Sequence, residues 1–156
     1  MTTTLTAATL TVTLKESIEL NGVEQGGTNT KTIASINEVS KRIVTVTTTE
    51  AEVVAMSTAI ASGTFIEGDV RYMRFTNLDD TNFITLTFKN ENDDEFAIKW
   101  DAGHSFIYPG DNSGGVVDTM DAIDGTGLTY ALGDLVNCTA DADTASCDME
   151  IFVASV

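Results

Sequence analysis

Four short runs in which apolar and polar side chains alternate follow one another between residues 70 and 108. A period of two places every second side chain on the same face of an extended chain. Clusters of Asn, Asp, Thr and Gly separate the runs, as expected of turns. The pattern predicts four consecutive strands of an antiparallel meander, over residues 70–76, 83–89, 96–100 and 105–108. The residues predicted at the centre of its core are Ile84, Leu86, Phe88, Phe96, Ile98 and Trp100.

Alternation also predicts strands before and after this stretch. Residues 10–20 predict one long strand, in which Glu16 marks a bulge or an end to burial, and Asn21-Gly22 predicts the turn that follows. Further strands are predicted over residues 41–49, 128–132 and 148–156, with a loop over residues 111–115 and a turn over residues 124–127.

Residues 50–56 fit two structures. Thr49 followed by acidic residues is typical of a helix N-terminus, whereas the β-branched Val53 and Val54 favour a strand. We take the strand as the preferred interpretation.

The chain has 156 residues, which suits one domain. About ten short strands with frequent turns, and no helical crossovers between them, predict an all-β fold. We expect an antiparallel, jelly-roll-like β-sandwich over residues 10–156 as a single domain. Residues 1–9 are rich in Thr and Ala and predict a flexible N-terminal arm.

Acidic residues outnumber basic ones, with 24 Asp and Glu against 8 Lys and Arg and a net charge of -16. This balance argues against nucleic acid and anionic membranes as partners, because both need clustered Lys or Arg. Lys99 is the last basic residue of the chain. Two interpretations stay open: a solubilising surface suited to a salty medium, or an acidic half that binds cations or a basic partner.

No run approaches the roughly 20 apolar residues of a membrane-spanning helix. The first ten residues, MTTTLTAATL, lack the basic start and apolar centre of a secretion signal. We therefore expect a soluble product released in the cytoplasm that makes it.

The single histidine, His104, lies beside Ser105 and near Asp101. A catalytic dyad is one interpretation, but adjacent residues in a turn rarely aim at a common reacting atom, and no oxyanion loop accompanies them. A solvated turn histidine is preferred. Phosphate loops, metal triads and paired buried carboxylates are not recognisable either. We expect no enzymatic activity, no catalytic, cofactor-binding or metal-binding residues, and no cofactor.

Acidic turns offer oxygen atoms that a calcium ion could use. They lack the glycine and the terminal glutamate of a calcium-binding hand, and Asn and Asp clusters are common in hairpin turns. Structural turns are therefore preferred to ion sites. The residues concerned are Asp79, Asp80, Asn90, Glu91, Asn92, Asp93, Asp94, Glu95, Asp141, Asp143 and Asp148.

Cys138 and Cys147 flank a short loop, so they could face each other across a hairpin. A disulfide there would stabilise the fold by about 2 to 3 kcal/mol on the chain-entropy model. Free, packed thiols are preferred, because a cytoplasm is reducing. Phe88, Trp100 and Tyr108 could form a sugar-binding platform, but their spacing on strands favours core positions.

Three stretches carry a resemblance: KESIELNGVEQGGTNT, KRIVTVTTTEAEVV and the long segment GTFIEGDVRYMRFTNLDDTNFITLTFKNENDDEFAIKWDAGHSFI. They resemble small virion structural proteins of tailed bacteriophages, especially phages of marine bacteria. The matching residues of the long segment are Tyr72, Arg74, Thr76, Asn77, Leu78, Asp79, Gly103, Ser105 and Phe106.

The resemblance implies a β-sandwich in the virion. It implies most directly a capsid decoration or cement protein on the outside of the head, at junctions between capsid subunits. A tail or fibre component, or a carbohydrate-binding module on the particle surface, are the alternatives. The implied partners are the major capsid protein and further copies of this chain, as a dimer or trimer.

Overall fold

The computed structural model describes residues 4–110, 119–120 and 132–156. Within these ranges all regular secondary structure is β. The strands are β1 (Ala8–Lys15), β2 (Glu19–Leu20), β3 (Val23–Glu24), β4 (Thr28–Ile36), β5 (Glu38–Val46), β6 (Ala51–Ser57), β7 (Thr64–Ile66), β8 (Val70–Asn77), β9 (Ile84–Asn90), β10 (Glu95–Trp100), β11 (Ser105–Pro109), β12 (Thr119–Met120), β13 (Leu132–Gly133), β14 (Leu135–Ala142) and β15 (Cys147–Ser155).

Two sheets pack face to face around the main core. One has the strand order β10-β9-β14-β6-β7, and the other has the order β11-β8-β15-β5. Their described pairings are antiparallel apart from β6 with the short edge strand β7. The predicted all-β, antiparallel sandwich is confirmed. In the described ranges no helix is long and apolar enough to cross a membrane.

The order of pairing is that of a jelly roll. The chain forms one long folded hairpin in which β9 pairs with β10, β8 with β11, β6 with β14 and β5 with β15. This hairpin is rolled so that β15 also lies beside β8, and β14 beside β9. Double-sheet jelly rolls are built in this way, with neighbouring strands far apart in sequence.

The predicted meander is wrong in its pairing, although its four strands are present as β8 to β11. Only β9 and β10 form a hairpin, whereas β8 and β11 belong to the opposite sheet. The Phe75 ring of β8 meets the Phe88 ring of β9 across the core, edge to face, at 5.9 Å between centroids. Each strand pairs with other strands in its own sheet, and the buried faces of the two sheets pack against each other.

The Phe88 side chain lies at the centre of an aromatic cluster. It stacks on Phe96 and on Tyr108, with centroid distances of 4.9 Å and 5.1 Å, and Phe106 lies 5.6 Å away. The predicted core residues all belong to this core, Ile84, Leu86, Phe88 and Trp100 being buried and Phe96 and Ile98 partly buried.

The strand interpretation of residues 50–56 is confirmed by β6. Val53 and Val54 are both buried, although they are neighbours in sequence. An irregularity in the pairing of β6 with β14, between Cys138 and Thr139, accommodates this departure from simple alternation.

Residues 8–36 form a two-stranded hairpin outside the sandwich, which we call the ribbon. β1 pairs with β4 along its length, and β2 and β3 close the far end. The predicted turn at Asn21-Gly22 is confirmed, with φ angles of 53° and 76°. Positive φ at both positions is what a two-residue type I′ hairpin turn requires.

The single strand predicted over residues 10–20 is interrupted. β1 ends at Lys15, and β2 begins only at Glu19. Between them the Glu24 carboxylate accepts hydrogen bonds from the backbone N–H groups of Ile18 and Gly26, at 3.1 Å and 2.7 Å. The two sides of the ribbon stay linked here by backbone bonds from the Glu16 N–H to the Gly27 carbonyl and from the Gln25 N–H to the Ile18 carbonyl, both at 2.8 Å, so the alternation continues in sequence while the strand does not.

The predicted arm over residues 1–9 overlaps β1. Ala8 already pairs with Ile36 across a bulge, and residues 4–7 are exposed without regular secondary structure. The predicted loop over 111–115, the turn over 124–127 and most of the strand over 128–132 lie outside the described residues.

Candidate interaction surface

The ribbon has two chemically different faces. Threonines face each other on one side, where the Thr13 and Thr30 hydroxyl oxygens lie 3.3 Å apart. On the other side, Leu10 pairs with Ile33. This apolar face packs on the outer face of the four-stranded sheet and forms a second core. Its residues are Leu10, Val12, Ile33, Ile36, Tyr72, Ile107, Phe152, Ala154 and Val156.

On the outer face of the four-stranded sheet, the part that the ribbon does not cover is polar. The Glu150 carboxylate pairs with Lys41 at 3.0 Å and with Arg74 at 2.5 Å. Arg74 also donates a hydrogen bond to the Thr76 hydroxyl, which lies 2.8 Å from the Ser105 hydroxyl. Hydrogen bonds from Lys41 and Arg74 lower the pKa of the Glu150 carboxyl. The two cations share one carboxylate, so this group retains one positive charge.

Beyond the part of the ribbon that packs on the sheet, four large apolar side chains are exposed. Leu14, Ile18, Leu20 and Val23 are 52%, 57%, 61% and 55% exposed. We call residues 14–24 the ribbon tip. Single exposed apolar residues are normal, but contiguous ones mark interaction sites. The ribbon tip is therefore a candidate interaction surface.

A second exposed apolar pair lies on β5, the edge strand of the four-stranded sheet. Val39 and Ile43 are 56% and 61% exposed, and Lys41 lies between them on the same face. We call Val39, Lys41 and Ile43 the β5 patch. β5 is nine residues long, pairs with β15 without a register shift and contains no proline. β5 therefore lacks the bulges and prolines that blunt many edge strands, although it carries the charged residues Lys41 and Arg42, and its outer backbone edge is available to a partner.

The residues of the candidate dyad are not brought together. The Asp101 carboxylate lies 3.4 Å from the Lys99 ammonium, and the Ser105 hydroxyl pairs with Thr76. His104 is exposed and uses its backbone carbonyl, which accepts a hydrogen bond of 2.8 Å from the Trp100 indole. The arrangement stabilises a turn and offers no nucleophile–base pair.

The acidic turns use their side chains to cap their own backbone. The Asp79 carboxylate accepts hydrogen bonds from the N–H groups of Asn82 and Thr81, at 2.7 Å and 2.8 Å, and these bonds lower its pKa. The Asn90 side-chain oxygen accepts from the N–H groups of Asn92 and Asp94, both at 2.9 Å. Such bonds are the mechanism by which Asx turns form.

Three of the acidic candidates lie near the Cys147 thiol, because burial and the carboxylates of Asp79, Asp143 and Asp148 raise the pKa of that thiol. The Asp148 carboxylate accepts a hydrogen bond from the Thr45 hydroxyl at 2.8 Å, while burial and the Glu50 carboxylate raise the pKa of Asp141. Within the described part of the chain, no group of three His, Cys, Asp or Glu residues could hold a metal ion.

Cys138 and Cys147 are free and buried. The alternative in which they face each other across a hairpin is not what the structure shows, because β14 lies in the five-stranded sheet and β15 in the other. Burial raises the pKa of the Cys138 thiol well above its usual range, which makes it unreactive. Both thiols fill core space, as the preferred interpretation expected. Phe88 and Trp100 are core residues, and Tyr108 packs against them, so they form no exposed platform.

Residues that carry the phage resemblance cluster around Asn77, a buried amide. Its side-chain nitrogen donates to the carbonyls of Asn82 and Trp100, at 2.9 Å and 3.4 Å, and its oxygen accepts from the Asp79 N–H at 3.0 Å. Its backbone bonds to residues 103–104 of the next turn. The motif is thus a structural joint between two loops and the core.

Two features were missed from the sequence. One is the ribbon as a separate layer, for which Asn21-Gly22 between alternating apolar residues was an available hairpin signal. The other is a group of acidic residues from three loops. Burial and the neighbouring Asp134 and Glu91 carboxylates raise the pKa of Glu67. No local pattern could reveal it, because its members are distant in sequence.

The fold and the surface together define an all-β sandwich with an exposed apolar ribbon tip. No protein-family model matches the chain, and no curated protein matches it. Among solved structures, one similar chain comes from Bacillus endospore appendages, described as a novel family of disulfide-linked pili. The identity is 11% and the TM-score 0.44, over 76% of this chain and 85% of the other.

Proposed function

We propose that this protein is a bacteriophage virion structural protein, a decoration or cement protein that binds the outside of the head at junctions between capsid subunits. The observation that carries the proposal is the ribbon tip, whose four large apolar side chains are uncovered within one chain. A subunit packed among neighbours on a particle would bury them. The phage-like motif around Asn77 supports the same assignment.

The proposed role is passive binding. Each copy needs only a modest interface, because many copies on one shell add their contributions and resist the internal pressure of packaged DNA. The partners are the major capsid protein and neighbouring copies, and the protein is not an enzyme. The acidic surface disfavours contact with the DNA itself.

Addition of purified protein to shells made without it tests the proposal. The intact chain should saturate expanded shells and raise their resistance to heat, as measured by sedimentation and quantitative gels. A variant in which Asn-Gly replaces residues 16–27 should bind fewer copies, because neighbours can no longer bury the tip. Deletion of residues 4–7, which lie outside β1, is the matched control and should bind like the intact chain.

Two results would contradict the proposal. Failure of the intact chain to bind shells, together with binding to purified tails, would favour a tail component. Equal occupancy by the intact and tip-shortened chains would remove the ribbon tip as the assembly surface.

A further inference from the structure

The ribbon tip and the β5 patch match each other in pattern. Leu14, Glu16 and Ile18 alternate as apolar, acidic, apolar along the tip. Val39, Lys41 and Ile43 alternate as apolar, basic, apolar along β5. All six residues are exposed. The chain between β1 and β2 is extended by sequence pattern only, so the match is one of composition: each surface offers exposed apolar side chains beside a side chain of opposite charge.

We propose that the ribbon tip of one copy docks against the β5 patch of a second copy. The inference rests on the proposed assembly role only for its biological setting, because the contact itself belongs to the isolated protein. A tip-to-patch contact joins two different surfaces, so it closes either reciprocally, as a dimer, or around an axis, as a ring.

The charges of the two surfaces favour a second copy of the chain as the partner of the ribbon tip. The tip carries three carboxylates, Glu16, Glu19 and Glu24, against the single ammonium of Lys15. Lys41 and Arg74 share the one carboxylate of Glu150 on the β5 side, which leaves a positive charge to be matched. Most of the molecule is acidic, so this is a place where copies attract each other despite a net charge of -16.

The geometry of the fold leaves both surfaces accessible. The tip stands beyond the second core, where neither its own sheet nor the sandwich covers it. The β5 patch lies on the same outer sheet face as that core, at the edge that the chain's own ribbon leaves uncovered. Each copy therefore offers one of each surface and can use both only with other copies.

Sedimentation equilibrium and light scattering of the intact chain, in about 0.3 M NaCl to screen the net charge, test the contact. The tip variant is Ile18→Thr with Leu20→Thr, and the patch variant is Val39→Thr with Ile43→Thr. Threonine keeps a strand-compatible side chain at these positions. Each double variant should associate about a hundredfold more weakly than the intact chain, and Leu78→Thr, exposed on neither surface, should associate normally.

Mixing provides the decisive measurement. The tip variant keeps an intact patch and the patch variant keeps an intact tip, so the two should associate with each other although neither associates with itself. Glu16→Lys mixed with Lys41→Glu should likewise associate better than either does alone. Thermal unfolding of every variant verifies that it is folded.

Three results would overturn the inference: an intact chain that stays monomeric at all concentrations, association that neither double variant weakens, or variants that fail to associate when mixed. Shell binding by a monomeric chain would leave the proposed function intact and refute only this contact. Self-association without shell binding would leave this contact intact and refute the proposed function.

Discussion

Asn77 shows how one buried amide joins several loops. Its side chain donates to two carbonyls and accepts from one N–H, which belong to residues of the loop between β8 and β9 and of β10. Asn77→Ala should lower the free energy of unfolding by about 2 to 3 kcal/mol, because it leaves buried polar groups without partners. Urea unfolding measures this change. Asn92→Ala, at an exposed turn position, is the control, and an equal effect of both would contradict the role of Asn77.

Phe88 is fully buried at the meeting point of the two sheets. Phe88→Ala should cost about 3 to 5 kcal/mol, since it removes a ring packed against four others and leaves a cavity. The denaturant midpoint should fall accordingly. Leu78→Ala, at an exposed position, should change stability by no more than about 0.5 kcal/mol. An unchanged midpoint for the Phe88 variant would show that the core is assigned wrongly.

Glu67 and Asp79 should give pH dependences of opposite sign. The pKa of Glu67 is raised, so its favourable contribution is present below about pH 4.3, the unfolded value, and is lost as pH rises through the folded pKa. Glu67→Gln should therefore be more stable than the parent at pH 7. The difference in stability should shrink near pH 4, where the parent carboxyl is protonated.

The pKa of Asp79 is lowered, so its contribution is present above about pH 3.9 and is lost as pH falls through the folded pKa. Asp79→Asn should be less stable than the parent at pH 7, and the difference should shrink in acid. Urea midpoints between pH 3 and pH 7 measure both variants. Curves that diverge from the parent in the same direction would refute the assignment.

Among the elements, the ribbon should open independently of the sandwich. Its apolar contact with the sheet is the second core, whereas β15 is paired on both sides. Ile33→Ala should weaken that contact by about 2 kcal/mol, which is about thirtyfold in the exchange rate of ribbon amides. Hydrogen exchange read by mass spectrometry should show no change in β14 and β15.

Ile18→Ala is the matched control for that experiment, because Ile18 lies on the uncovered tip of the same ribbon. It should leave exchange unchanged in the monomer. If Ile33→Ala accelerated exchange in β15 as much as in β1, the ribbon and the sandwich would form one cooperative unit.

At the scale of the whole molecule, the net charge of -16 should make stability depend on ionic strength. Repulsion among acids is screened by salt, so the melting temperature should rise between dilute buffer and about 0.15 M NaCl. Calcium chloride at equal ionic strength should give a similar rise, since the acidic turns bond to their own backbone. A much larger rise with calcium would reveal a specific ion site.

Within the sandwich, local patterns in the sequence determined where most strands lie and which of their faces is buried. The alternation at Ile84, Leu86 and Phe88, the Asn21-Gly22 turn and the capping turn at Asp79 each depend on residues a few positions apart. Strand geometry and turn chemistry act over that range, so these features were predictable from the residues themselves.

Only the tertiary structure decided which strands pair. Alternation shows that one face of a strand is buried, but every strand offers the same backbone donors and acceptors to any neighbour. β8 therefore pairs with β15, more than 70 residues away, rather than with β9, and Cys138 and Cys147 lie in different sheets. The exposure of the ribbon tip was also decided by the tertiary structure. Whether the apolar residues of a strand are covered depends on how far the neighbouring sheet extends, and that is a property of the folded molecule.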